Sequence, residues 1–241
     1  MSPLTSLALR LALAPICLMQ GMMVRRKVQR LPEAVGPRQG QSGAGPVLRL
    51  LIMGESSAAG VGVVHQDDAL AGQLVAALGG YDLRWHLEAR TGATTAHALA
   101  GLRALPPTPF DAAVVVLGVN DVIRQVPLRR WLAEQRALWE VLESRFGLRH
   151  IYLSGVPPLG RFPALPQPLR ALLGARARLF DTALAAEVAR RPSGQAVLHP
   201  LPFDTDTLNP ALMAVDGFHP GREIYRDWAG LIAGAIRADF A

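Results

Sequence analysis

Near its C-terminus the chain reads Val215-Asp216-Gly217-Phe218-His219-Pro220, an aspartate and a histidine three residues apart with a glycine between them. One tight loop can present both side chains to the same place, and a carboxylate that fixes a neighbouring imidazole's tautomer makes that imidazole a general base. Such a base activates a hydroxyl, which is a weak nucleophile until its proton is removed during attack. Two hydroxyls follow an apolar run much earlier in the chain, in Leu51-Ile52-Met53-Gly54-Glu55-Ser56-Ser57-Ala58-Ala59-Gly60. The oxyanion produced by attack on a carbonyl needs hydrogen-bond donors. Gly118-Val119-Asn120-Asp121 supplies an amide side chain after another apolar run, and Gly92 offers a backbone N–H where no side chain intervenes.

A glycine-rich loop after a strand could also cradle phosphate, but the spacing argues against it. A Walker loop places four residues between its glycines and follows them with lysine. Gly54 and Gly60 enclose five residues, Val61 comes next, and no lysine occurs after Lys27. Gly60-Val61-Gly62-Val63-Val64-His65 lacks the third glycine of the dinucleotide fingerprint. A Gly-x-Ser-x-Gly elbow would require glycine where Ala58 stands.

The elements that must position these residues follow from periodicity. Apolar runs over Val47–Met53, Asp111–Leu117, His150–Ser154 and Ala196–Leu198, with a weak alternation over Leu83–Ala89, predict five strands. Helical spacing over Asp68–Leu78, Thr94–Leu105, Leu128–Phe146, Leu169–Arg190 and Arg222–Ala238 predicts the helices between and after them. Strands alternating with helices imply a parallel sheet covered on both faces, an α/β three-layer domain. Ligands of such sheets bind beyond the carboxyl ends of the strands. Gly54–Ser57 and Gly118–Asp121 would share that rim.

Composition bounds what remains. The 241 residues are half apolar and suffice for one domain, residues 47–241, behind an extension of residues 1–46. The single cysteine, Cys17, excludes an intramolecular disulfide and a cysteine-built zinc site. Six cations in residues 1–46 (Arg10, Arg25, Arg26, Lys27, Arg30 and Arg38) against Glu33 account for five of the six net positive charges. The body therefore carries no basic stripe, and no nucleic-acid partner is expected.

In the extension, an apolar run from Leu4 to Val24 precedes its cations, the reverse of a secretory signal. By the positive-inside rule that order keeps the following domain cytoplasmic, with residues 4–30 attached to the inner face of a membrane. A helix docked on the protein's own surface or on a second subunit is the other reading. Residues 33–46, rich in glycine and proline, read as a linker.

Gly54-Glu55-Ser56-Ser57-Ala58-Ala59-Gly60, Gly92, Gly118-Val119-Asn120-Asp121 and Asp216-Gly217-Phe218-His219 resemble, in that order, the four sequence blocks of the SGNH, or GDSL-type, esterases and lipases. The resemblance implies a flavodoxin-like sandwich with five parallel strands. It implies Ser56 as nucleophile, His219 as base and then acid, and Asp216 as the group orienting His219. The oxyanion hole would be formed by the N–H groups of Ser56 and Gly92 and the Asn120 amide. Glu55, where the family most often has aspartate, and Asp121 would be supporting residues, and no metal or organic cofactor is expected.

Taken singly, these residues have ordinary explanations: Ser57 as a helix cap, Asn120-Asp121 and Asp216-Gly217 as turns. His65, His86, His97, His150 and His199 show no ligand spacing and are expected on the surface or in the core. His199 and Asp204 could line the pocket but suit a triad less well than Asp216 and His219. The expected activity is hydrolysis of short- to medium-chain carboxylic esters, a small molecule or a lipid such as a lysophospholipid. Removal of acetyl groups from carbohydrates and a catalytically silent, membrane-attached interaction module are the alternatives.

Overall fold

The computed structural model describes residues 3–27, 29–191, 196–201 and 209–240. Its sheet has six strands: β1 (Gln39–Ser42), β2 (Val47–Gly54), β3 (Asp82–Ala89), β4 (Ala112–Val116), β5 (His150–Ser154) and β6 (Val197–Leu201). They lie in the order β1-β3-β2-β4-β5-β6, and all neighbours are parallel except β1 against β3. The five parallel strands thus have the flavodoxin-like order, whose reversal point lies between β2 and β4. The loops carrying Glu55-Ser56 and Asn120-Asp121 leave the sheet at that point.

Alternation along the strands assigns each residue to one of two cores. Leu51, Met53, Ala113 and Val115 face a layer built by α3 (Thr95–Ala104), α5 (Leu128–Phe146) and α6 (Leu169–Ala189). Leu50, Ile52, Ala112 and Val114 face α2 (Leu70–Ala77) and α7 (Arg222–Phe240). In α5 the buried Trp131, Gln135, Leu138, Trp139, Leu142 and Phe146 recur at helical spacing, and the helix ends at Gly147 with φ 68°.

Two expectations change. The sheet gains an edge strand, and it comes from residues 33–46, which read as a linker. This segment is held by partners far away in sequence, which local composition cannot register. Ala34 N–H donates to Ala59 O at 3.2 Å, Gln66 Nε2 to Ala34 O at 3.3 Å, and Glu33 accepts from Thr91 N at 2.7 Å and Oγ1 at 2.8 Å. Glu33 also pairs with Arg38 at 3.1 Å. Segment 33–46 therefore braces both the loop after β2 and the turn that carries Gly92.

Residues Pro3–Lys27 form helix α1. Leu13, Cys17 and Val24 pack toward the core, and Gln20 exchanges hydrogen bonds with Gln167 O (2.6 Å) and Leu169 N (3.1 Å). Ile16, Leu18, Met19, Met22 and Met23 remain exposed. No helix among the described residues is long and apolar enough to cross a membrane.

Candidate active site

β2 ends at Gly54, where an added Cβ would lie 2.4 Å from Val116 O, so only glycine lets β2 and β4 approach this closely. The chain then coils into one turn, with Ala59 N–H donating to Glu55 O at 3.0 Å and Val61 N–H to Ser56 O at 3.0 Å. That turn points Ser56, 9% exposed, toward the segment before α7. His219 Nε2 lies 2.9 Å from Ser56 Oγ, and His219 Nδ1 lies 2.6 Å from Asp216 Oδ2. The remaining carboxylate oxygen, Asp216 Oδ1, accepts from Phe218 N (2.9 Å) and His219 N (3.0 Å), closing the tight loop around its own aspartate. Burial pushes the Asp216 carboxyl up, but the hydrogen bonds from His219 and Phe218 outweigh it and hold the group below the usual carboxylate range. It stays ionised beside the imidazole.

Gly62 brings the two chain segments together. Its φ is +112°, and an added Cβ would sit 2.2 Å from Pro220 O, so the backbone after His219 rests directly on the loop after β2. Tyr225 in α7 reinforces the contact by donating to Val61 O at 2.6 Å.

The Ser56 and Gly92 N–H groups donate to no protein acceptor among the described residues. The Asn120 amide differs: Nδ2 donates to Glu55 Oε2 and, at 3.1 Å, to Ala93 O. Glu55 is 2% exposed and also accepts from Val119 N (2.9 Å) and Asn120 N (3.0 Å) at the start of the short helix α4 (Val119–Ile123). Burial raises its carboxyl to about 8 in spite of these donors. Asp121, fully buried, accepts from Thr95 N and Oγ1, each at 3.0 Å. Trp131 Nε1 and Gln135 Nε2 also reach Thr95 Oγ1, at 3.1 and 3.4 Å. Burial pushes Asp121 up as well, and its bonds to Thr95 pin the start of α3 to α4. Trp131 and Gln135 carry no mark of this role in the sequence, since only the fold brings them to Thr95, which the sequence offers as no more than a helix cap.

Beside Ser56 an apolar pocket opens, lined by Leu117, Phe162, Met213, Phe218, Ile224 and Trp228. Phe162 and Phe218 meet edge to face with centroids 5.2 Å apart. On the other side of the Asp216 loop, a wider cleft runs to the end of α1, with Met23, Lys27 and Arg170 among its walls. His199 lies away from Ser56: it stands opposite Tyr152 in the register of β5 and β6, 3.2 Å from His150. The two histidines, which show no ligand spacing in the sequence, are thus neighbours in the fold. Asp204 lies outside the described residues.

A sheet of this order, with a serine, histidine and aspartate in hydrogen-bonded series at its reversal point, is a hydrolase arrangement. The chain belongs to the GDSL-like lipase/acylhydrolase family, whose model matches residues 52–226, and it is a hydrolase acting on esters. It is 29% identical over 211 residues to a GDSL-like esterase of Mycobacterium tuberculosis, covering 81% of this chain and 67% of that protein. In fold it is similar to a carbohydrate esterase family 2 enzyme with a carbohydrate-binding domain from Myceliophthora fergusii (TM-score 0.64, 16% identity, 82% of this chain and 68% of that one). It is also similar to a lipase from a goat rumen metagenome (TM-score 0.58, 14% identity, 78% and 97%).

Proposed function

We propose that the protein hydrolyses carboxylic esters through an acyl-enzyme on Ser56. The observation that carries this reading is the unbroken series Ser56 Oγ, His219 Nε2, His219 Nδ1, Asp216 Oδ2, with spacings of 2.9 and 2.6 Å. Ser56 Oγ attacks the ester carbonyl while its proton passes to His219 Nε2, and Asp216 stabilises the imidazolium. The tetrahedral adduct collapses, the C–O bond to the alcohol breaks, and His219 returns the proton to the leaving oxygen. Water then gives a proton to His219 as it attacks the acyl group, and the acid leaves as Ser56 regains its hydrogen.

The oxyanion is held by the N–H groups of Ser56 and Gly92 and by Asn120. The Asn120 amide exchanges its 3.1 Å bond to Ala93 O for one to the oxyanion, a stronger acceptor than a neutral carbonyl. Glu55 keeps its hold on the other hydrogen and fixes the amide plane.

The apolar pocket at Ser56 favours an acyl chain over a bare acetyl group. The exposed apolar side chains of α1, followed by Arg25, Arg26 and Lys27, favour a substrate met at an anionic membrane surface on its cytoplasmic side, such as a lysophospholipid. The domain is taken as residues 47–241 with segment 33–46 as its brace.

The test is hydrolysis of p-nitrophenyl esters from C2 to C12 by the purified protein, with Ser56→Ala alongside. The expected profile peaks beyond C2 and vanishes in the variant. Wild-type rates in Ser56→Ala would overturn the mechanism, and activity confined to acetyl esters would favour the deacetylase. No turnover, together with no labelling of Ser56 by a fluorophosphonate, would favour a silent module.

A further inference from the structure

At the rim opposite the candidate active site, three side chains from separate elements converge. His150 opens β5, His199 sits in β6, and Asp239 lies in the last turn of α7. α7 starts just after His219, and Asp239 is seventeen residues beyond Arg222, so about 25 Å of helix separates the cluster from the catalytic loop. His150 Nδ1 and His199 Nε2 are 3.2 Å apart, His199 Nε2 and Asp239 Oδ2 3.4 Å, and His150 Nδ1 and Asp239 Oδ2 4.0 Å. The two histidine side chains are half-buried, at 24% and 19% exposure, and Asp239 stands at the surface with its side chain 28% exposed.

We propose that His150, His199 and Asp239 form a binding site for a divalent transition-metal ion of the zinc class. Ligand atoms bound at 2.0–2.1 Å in a tetrahedron are separated by about 3.4 Å, and the three distances lie around that edge length. Closing the longest edge requires a shift of roughly half an ångström. Two imidazole nitrogens and a carboxylate oxygen are the donor types zinc takes, and the fourth position would be filled by water.

A proton on His150 Nδ1 or on His199 Nε2 bridges one pair of these atoms at a time, whereas a cation held by both unprotonated nitrogens and the carboxylate satisfies all three lone pairs together. Outer contacts already fix the ligands: Tyr152 OH donates to Asp239 Oδ2 at 2.8 Å, the Tyr152 ring stacks on His199 with centroids 4.5 Å apart, and Phe240 packs on His150 at 4.9 Å. The ion would join two neighbouring strands to the end of the helix that carries the catalytic loop at its other end. Its effect would therefore be on stability rather than on chemistry at Ser56.

The experiment uses the full chain stripped with a chelator and titrated with Zn2+, followed by calorimetry and thermal unfolding, with Co2+ as a spectroscopic substitute. Expected are one equivalent of Zn2+ bound per chain and visible absorption bands of four-coordinate Co2+. The midpoint should rise by about 5–10 °C when free Zn2+ is roughly a hundredfold above Kd. His199→Gln and Asp239→Asn should each lose the rise and the bands, while His86→Gln keeps them. The absence of Zn2+ binding by the folded wild-type chain, or binding and Co2+ bands undiminished in His199→Gln and Asp239→Asn, would overturn the assignment.

Discussion

At the scale of single residues, Asn120 and Glu55 act as a pair. The Asn120 amide is tied to a buried carboxyl on one hydrogen and to Ala93 O on the other, so its value as a donor depends on releasing the second. Asn120→Ala should lower kcat by about 10²–10³, the cost of one oxyanion donor. A variant that lost stability with kcat intact would reduce Asn120 to an anchor for Glu55.

Glu55 itself predicts a pH dependence of stability. With its folded pKa raised from 4.5 to about 8, the folded chain holds this proton more tightly than the unfolded one. Its stabilising contribution is complete below about pH 4.5 and is lost as the pH rises through about 8. Thermal midpoints measured from pH 5 to 9 should therefore fall more steeply in the wild type than in Glu55→Gln, which has no proton to lose. The variant should be less stable at low pH, because its amide nitrogen, whichever oxygen it replaces, faces either the Val119 N–H or the two Asn120 donors.

At the scale of elements, α1 and segment 33–46 have separate jobs. Segment 33–46 is bonded to the loops that carry Ser56 and Gly92, whereas α1 rests on α6 and leaves five large apolar side chains in solvent. A chain shortened to start at Gln29 should keep its p-nitrophenyl ester activity but fail to float with anionic liposomes that carry the full-length protein. Each Arg or Lys near such a surface contributes about 1 kcal/mol, so flotation of the full chain should weaken with salt. Equal flotation of both chains would remove α1 from membrane binding. Starting instead at Arg38 would confuse the comparison, since it deletes Glu33 and with it the brace on Thr91.

At the scale of the molecule, the proposed mechanism requires two stretches from distant parts of the chain to meet over Gly62. Gly62→Ala places a methyl group against Pro220 O and forces an unfavourable φ, so the loop bearing Asp216 and His219 must move. A displacement of about 1 Å can cost on the order of 10² in rate. The expected result is a fall in kcat larger than any change in KM, together with a lower thermal midpoint. Unchanged kinetics would mean that the two loops are positioned independently.

The sequence by itself determined the alternation of strands and helices, the parallel sheet, and the candidate residues Ser56, Gly92, Asn120, Asp216 and His219. Each of these leaves a local mark: an apolar run, a helical period, a glycine at a turn, or an aspartate and a histidine within one loop. Leu128–Phe146 and His150–Ser154 were legible to the residue because their periodicity has sharp ends. Tertiary structure alone decided that Gln39–Ser42 is a strand, that Glu33 holds the Gly92 turn, that Thr95 gathers Asp121, Trp131 and Gln135, and that His150 meets His199 and Asp239. In each case the stabilising partner is far away in the chain. A local pattern reports how a segment can fold, whereas a hydrogen bond across the sheet exists only after the layers have packed.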